Sequence, residues 1–363
     1  LFNVRSFANF ALLVTGWLLA EVRGLPSQAL RACREHTLKH FSSYYRFFGR
    51  AAWAPDALGA RLLLELLAWV PDPFVTLAAD DTLARKSGKH IWGANVHHDP
   101  LAFAKPKGYG FGHAWVVLAV LVKVPGVERR VAVPVFFRLY RSQKKRRGKD
   151  GRGKTERKVV GAATKKEHRT RPELAVEMLE VARKVLGTRP VRVLGDTTYA
   201  GQSVAQRLPE AMTLISRMTM KASLFDPPPP GKGKNGRPRK KGEPVAGPAA
   251  MARNRAPWQE AKASLYGQSV TLRYKTATAL WYQAAGTRLV RVVVVRDPRG
   301  QRKDECFYST DATMTPEQVV EAYALRWNLE VAFRDGKQLL GFERPQSRRQ
   351  KAVERTAPFA FLV

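Results

Sequence analysis

The chain has 363 residues and carries 63 Lys and Arg against 30 Asp and Glu, a formal net charge of +33. Such an excess suits a polyanionic partner, because cations that neutralise phosphates release condensed counterions. A ribosomal or chromatin-like protein would also be basic, but 45% hydrophobic residues and eight Trp imply a substantial packed core.

Two cysteines, Cys33 and Cys306, make neither a disulfide framework nor a metal finger and read as buried thiols in a reducing cytoplasm. The apolar run Phe7 to Ala20 lacks the charged start and the cleavage site of an export signal, so a packed helix is expected. Ser27 to Leu67 is helical in pattern, with aromatics at Tyr44, Tyr45, Phe47 and Phe48 and a break at Ala54-Pro55-Asp56. Residues 1–70 thus read as a helical N-terminal domain and a candidate for DNA contacts. Phe74 to Ala79 is a short buried strand that ends on Asp80-Asp81-Thr82. His97-His98-Asp99 lacks the spacing and the fourth ligand of a zinc site and reads as a loop.

His113 to Lys123 and Arg130 to Tyr140 form a hairpin around Pro125-Gly126. The apolar stretch inside it, Ala114 to Val124, is too short to span a bilayer as a helix, so no membrane partner is expected. A Lys/Arg/Gly tract from Arg141 to Arg171 is too polar to fold alone and is expected as a flexible loop. Pro172 to Leu186 is a helix closed by Gly187, and Val191 to Gly195 is a strand that ends on Asp196.

Thr213 to Met220, Ser269 to Thr276, Ala279 to Gln283 and Leu289 to Arg296 read as strands of a β-rich insertion over 205–306, with a basic disordered loop near 226–250. Phe307 to Asp311 is a further strand, and Thr315-Pro316 starts a long helix that carries Glu330. The fold class is α/β: a mixed sheet flanked by helices, its core formed by 71–204 and 307–363. The chain opens on Leu1 and stops within an apolar segment, so both ends read as truncated.

In the last helix Tyr323, Arg326, Glu330 and Lys337 fall within roughly 60° of one another at about 100° per residue. Arg326 and Glu330, four residues apart, would pair on any exposed helix. Asp80 and Asp196, however, are expected at neighbouring strand tips, where ligands of open α/β sheets collect. Three carboxylates without Cys or His suit a hard ion such as Mg²⁺. Two such ions about 3.5–4 Å apart would hold the attacking and leaving oxygens of a phosphoryl displacement.

Asp80-Asp81-Thr82, Leu194-Gly195-Asp196-Thr197-Thr198-Tyr199 and Tyr323-x2-Arg326-x3-Glu330-x6-Lys337 resemble the three motifs of the DDE transposases of bacterial insertion sequences. The resemblance runs from about Phe74 to the C-terminus. It implies an RNase H-like fold and an enzyme that cuts double-stranded DNA at element ends and joins the freed 3′-hydroxyls to a target. It also implies two Mg²⁺ ions, with Mn²⁺ as a substitute, and a homodimer on DNA in the bacterial cytoplasm, associated with the nucleoid. Asp80 would bridge both ions, Asp196 would hold one and Glu330 the other, while Tyr323, Arg326 and Lys337 would grip phosphates. Strand alternation admits only one of Asp80 and Asp81, and Asp80 is favoured.

Gly236-Arg237-Pro238-Arg239-Lys240 is similar to an AT-hook core, with Arg237 and Arg239 as candidate DNA contacts, but a non-specific phosphate-binding loop is the favoured reading. Trp258, Trp281 and Tyr282 could stack on an extruded base or pack in the core. Two alternatives stay open: an RNase H-like nuclease without strand transfer, and a catalytically silent DNA-binding remnant.

Overall fold

Four helices lead into the sheet: α1 (Val4–Leu19), α2 (Pro26–Ala32), α3 (Phe41–Gly49) and α4 (Pro55–Leu66). The computed structural model describes residues 1–21, 23–88, 90–99, 108–143, 159–229 and 239–363. The next elements are β1 (Val75–Arg85), β2 (Asn95–His98), β3 (Tyr109–Val122), β4 (Val131–Tyr140), α5 (Arg171–Leu186), β5 (Val191–Gly195), α6 (Gln202–Ala205) and β6 (Met212–Met218). Then come β7 (Leu224–Phe225), β8 (Pro244–Val245), α7 (Pro248–Arg253), β9 (Gln259–Leu265), β10 (Gln268–Leu280), α8 (Tyr282–Ala285), β11 (Leu289–Arg296) and β12 (Glu305–Ser309). Three helices follow: α9 (Pro316–Ala324), α10 (Trp327–Gln338) and α11 (Gln350–Leu362).

Among the described residues all the strands join one twelve-stranded sheet in the order β2-β3-β1-β5-β6-β12-β11-β10-β7-β8, with β4 on β3 and β9 on β10. Within it β3 runs antiparallel to both β1 and β4, whereas β1, β5 and β6 run parallel. That is a mixed sheet flanked by helices, the α/β class expected. The helix between β4 and β5 is strongly specified. Thr170 and Glu173 close a capping box, Pro172 occupies the first turn, and Gly187 takes a positive φ of 62° at the C-terminus.

β3 is buried from Ala114 to Val122, as expected of a strand with neighbours on both edges and helices on both faces. One face packs Leu77, Ala79, Val116 and Leu118 against Leu174, Met178 and Leu179 of α5. The other packs Ala78, Val117 and Leu194 with Val319 of α9, Leu329 and Phe333 of α10, and the helices α1 and α3.

Several expectations need correction. β1 does not end at the aspartates but continues to Arg85, because β3 supplies a ladder that far. Met212–Met218, expected in the insertion, pairs in parallel with β5, and β12 joins the later strands to it, so core and insertion share one sheet. Ser269–Thr276 and Ala279–Gln283 are mostly a single strand, β10. Residues 144–158 of the basic tract and 230–238 of the second basic segment lie outside the described residues.

Candidate active site

Strand register brings two of the acids together. β1 pairs with β5 from Val75 opposite Val191 to Ala79 opposite Gly195. One residue further, Asp80 and Asp196 come level, at the point where β5 ends while β1 continues against β3. Alternation then parts the neighbouring aspartates. Asp80 shares the face of Ala78 with α9 and α10, and Asp81 shares the face of Leu77 and Ala79 with α5.

On the first face Asp80 Oδ2 accepts from Arg326 Nη1 at 2.5 Å, and Arg326 Nη2 donates to Glu330 Oε1 at 2.6 Å. On the second, Asp81 Oδ2 meets Arg171 Nη1 at 3.1 Å, and Asp81 Oδ1 accepts from the Tyr199 hydroxyl at 3.4 Å. Asp196 caps the turn Thr197–Tyr199. Its Oδ1 accepts from the Thr198 N–H at 2.8 Å, and its carbonyl accepts from Ser216 Oγ at 2.8 Å.

Electrostatically the three aspartates form one cluster. Burial pushes the Asp80 carboxyl up to about 7, with Arg326 opposing and Asp196 and Asp81 adding to the rise. Burial also raises Asp81, against the pull of Arg171. The Tyr199 phenol is raised by burial and then by Asp81, Asp80 and Asp196. Burial alone would lower Arg326, but Asp80, Tyr323 and Glu330 more than offset it and hold its guanidinium charged.

The long helix expected from Thr315 onwards is two helices. Between α9 and α10 the hydrogen bonds tighten: Arg326 N–H donates to Tyr323 O at 3.0 Å and Leu329 N–H to Arg326 O at 2.9 Å. Asn328 Nδ2 also donates to Leu325 O at 2.9 Å. A short i→i−3 stretch of this kind changes the angular step along the axis, so the uniform 100° spacing fails at Arg326. Tyr323 stays beside Arg326, its ring centre 5.7 Å from the guanidinium carbon. Lys337 is drawn elsewhere, to Glu343 at 3.8 Å, and burial lowers its pKa.

Of the remaining candidates, Arg239 is exposed and pairs with Glu243 at 3.5 Å, and Arg237 lies outside the described residues. Trp281 packs edge-on against Tyr308 at 5.1 Å, a core role, while Arg296 lies over Trp258 at 4.2 Å. His97 and His98 belong to β2 rather than a loop. They line a cavity of about 360 Å³ with Val96, Tyr140, Arg171 and Thr198. Burial, with Arg171 nearby, holds the His97 imidazole down to about 4, so it is neutral at pH 7. Arg171 was hidden at the end of a run of basic residues, where sequence offers no sign that one guanidinium is anchored.

The acids suit a divalent cation. They offer only oxygen donors, the choice of hard ions, and burial raises Asp80 by more than the pull of Arg326 offsets, so its ionised form would favour a further cation. A guanidinium already lies between Asp80 and Glu330. Among the described residues no three His, Cys, Asp or Glu side chains stand close enough together to hold an ion in this arrangement.

A family model described as DDE superfamily endonuclease matches residues 6–287. No curated protein matches the chain. Among solved structures, it is similar to the cryo-EM structure of a piggyBac transposase synaptic complex with hairpin DNA, at 10% identity and a TM-score of 0.37. That likeness covers 99% of this chain and 66% of the piggyBac chain, so the present chain spans just under two thirds of that protein.

Proposed function

The chain belongs to the DDE superfamily endonucleases, and we propose that it is a DNA transposase that cleaves element ends and transfers the freed strands into target DNA. The observation that carries this reading is the register that sets Asp80 level with Asp196, together with the Arg326 fork that joins Asp80 to Glu330. Enzymes of this superfamily generally use divalent metal ions.

Here Asp80, Asp196 and Glu330 would hold the ion, Mg²⁺ or Mn²⁺ in its place. Bound ions would activate the attacking oxygen and stabilise the leaving one. The protein's own contributions are positional. The ladders of β1 with β3 and β5 fix Asp80, and the Thr198 and Ser216 contacts fix the Asp196 loop. Arg171 and Tyr199 hold Asp81 on the opposite face, which keeps it out of the ligand set. Tyr323, Arg326 and Lys337 serve the DNA backbone, Arg as a two-pronged donor and Lys as a point charge. Duplex DNA and assembly as a dimer on two DNA ends belong to the same reading, which the charge of +33 supports for DNA.

Replacing either acid tests it. Asp196→Ala and Glu330→Ala should each lower divalent-dependent DNA cleavage by roughly 10³-fold or more while duplex binding persists. Wild-type cleavage in either variant would end the assignment. Strand-transfer products on a supercoiled target separate a transposase from a nuclease that only hydrolyses.

A further inference from the structure

Asp80 and Glu330 share one ion-pair partner, the Arg326 guanidinium, whose Nη1 and Nη2 lie 2.5 and 2.6 Å from their oxygens. The arginine is not fully at home there. Its side chain is only 16% exposed, yet its buried Nε has no hydrogen-bond partner. It also sits in the tightened turn between α9 and α10, with the Tyr323 ring as its other neighbour. A divalent ion on Asp80 and Glu330 would place positive charge on the oxygens this fork now holds. Like charges at such separations repel, most strongly at the buried Asp80 end of the fork, so the two occupants exclude one another.

We infer that Arg326 is an exchangeable counter-ion. In the metal-free chain it pairs with both Asp80 and Glu330 and ties α10 to β1. When a divalent ion takes those carboxylates, the guanidinium is displaced and becomes available to a substrate phosphate, which offers the same planar fork two oxygens. Ion binding and the arming of a phosphate-binding arginine are then one event. The inference rests on the reading of Asp80, Asp196 and Glu330 as ion ligands. It adds that the affinity for the ion is set partly by the arginine it must evict.

The test is calorimetric titration with Ca²⁺, a hard ion that takes oxygen ligands, and thermal melting in chelator, on this chain and on Arg326→Gln and Arg326→Lys. The Gln variant should melt below wild type without metal, yet bind Ca²⁺ about tenfold tighter or more, a difference of about 1.4 kcal/mol. The Lys variant should fall between, since an ammonium keeps the charge but cannot fork across both acids. Tighter binding is what merely structural damage would not produce. Equal or weaker Ca²⁺ binding by the Gln variant overturns the exchange and leaves the ion site standing. Absence of Ca²⁺ binding in wild type and variants alike overturns the exchange together with the ligand assignment beneath it. Should the Gln variant fail to fold, the Lys variant decides: an affinity no higher than wild type's overturns the inference.

Discussion

An ionised Asp80 weighs against the metal-free fold, and the direction can be worked out. Its carboxyl is raised from the ordinary 3.8 to about 7, so between those values the folded chain keeps a proton that the unfolded chain has released. The stabilising effect of that proton is present at low pH and is lost as pH rises through about 7. His97 and His113 act oppositely: burial holds both near 4, so their contribution is full above 6.5 and is lost as pH falls towards 4. The wild-type profile therefore mixes opposing slopes, and the informative quantity is a difference. Asp80→Asn should gain about 2 kcal/mol relative to wild type when urea unfolding in chelator is compared at pH 5 and pH 8. An unchanged difference at the two pH values would show that this carboxyl is not raised.

At the scale of elements, the helical N-terminal layer and the chain after α10 meet backbone to backbone. Gly24 and Gly341 both take positive φ, 98° and 71°, and a Cβ on Gly341 would lie 2.3 Å from Arg23 O. Trp17 Nε1 donates to Leu340 O at 3.3 Å in the same contact. Gly341→Ala should therefore cost about 2–3 kcal/mol, from left-handed strain and forced separation together. Because α10 carries Glu330, cleavage should suffer more than DNA binding. Urea unfolding and a cleavage assay on the same preparation would check both, and a variant as stable as wild type would mean the contact is slack.

These elements also show where sequence stops being informative. The hairpin, α5 and β5 were legible because capping residues, Gly187 and apolar alternation are local signals. β6 was misplaced because its apolar pattern does not reveal whether its neighbour is β5 or the insertion, a matter of long-range pairing. Both aspartates and the Glu could be singled out as candidates. The bend at Arg326 and the diversion of Lys337 to Glu343 could not, since each depends on contacts between separate elements.

Over the whole molecule, a net charge of +33 would set how the proposed DNA binding answers to salt. If the chain neutralises some 6–10 phosphates, duplex affinity should fall by roughly 10³–10⁵ between 50 and 200 mM salt. A fluorescence-anisotropy series would measure this, and a nearly flat response would count against a phosphate-dominated interface. No helix among the described residues is long and apolar enough to cross a membrane. Core and insertion share a continuous ladder through β6 and β12, so strain in one has a hydrogen-bonded route to the other.

The pairing of Ala79 with Gly195 also fixes how the gene can tolerate change. One codon added within β5 would advance Asp196 by about 3.3 Å and turn its side chain to the opposite face, while β1 would hold Asp80 where it was. No rotamer can recover such a slip. Insertions and deletions should therefore be survivable in the surface connections but barred from the five residues Val191–Gly195, however freely those residues exchange one apolar side chain for another.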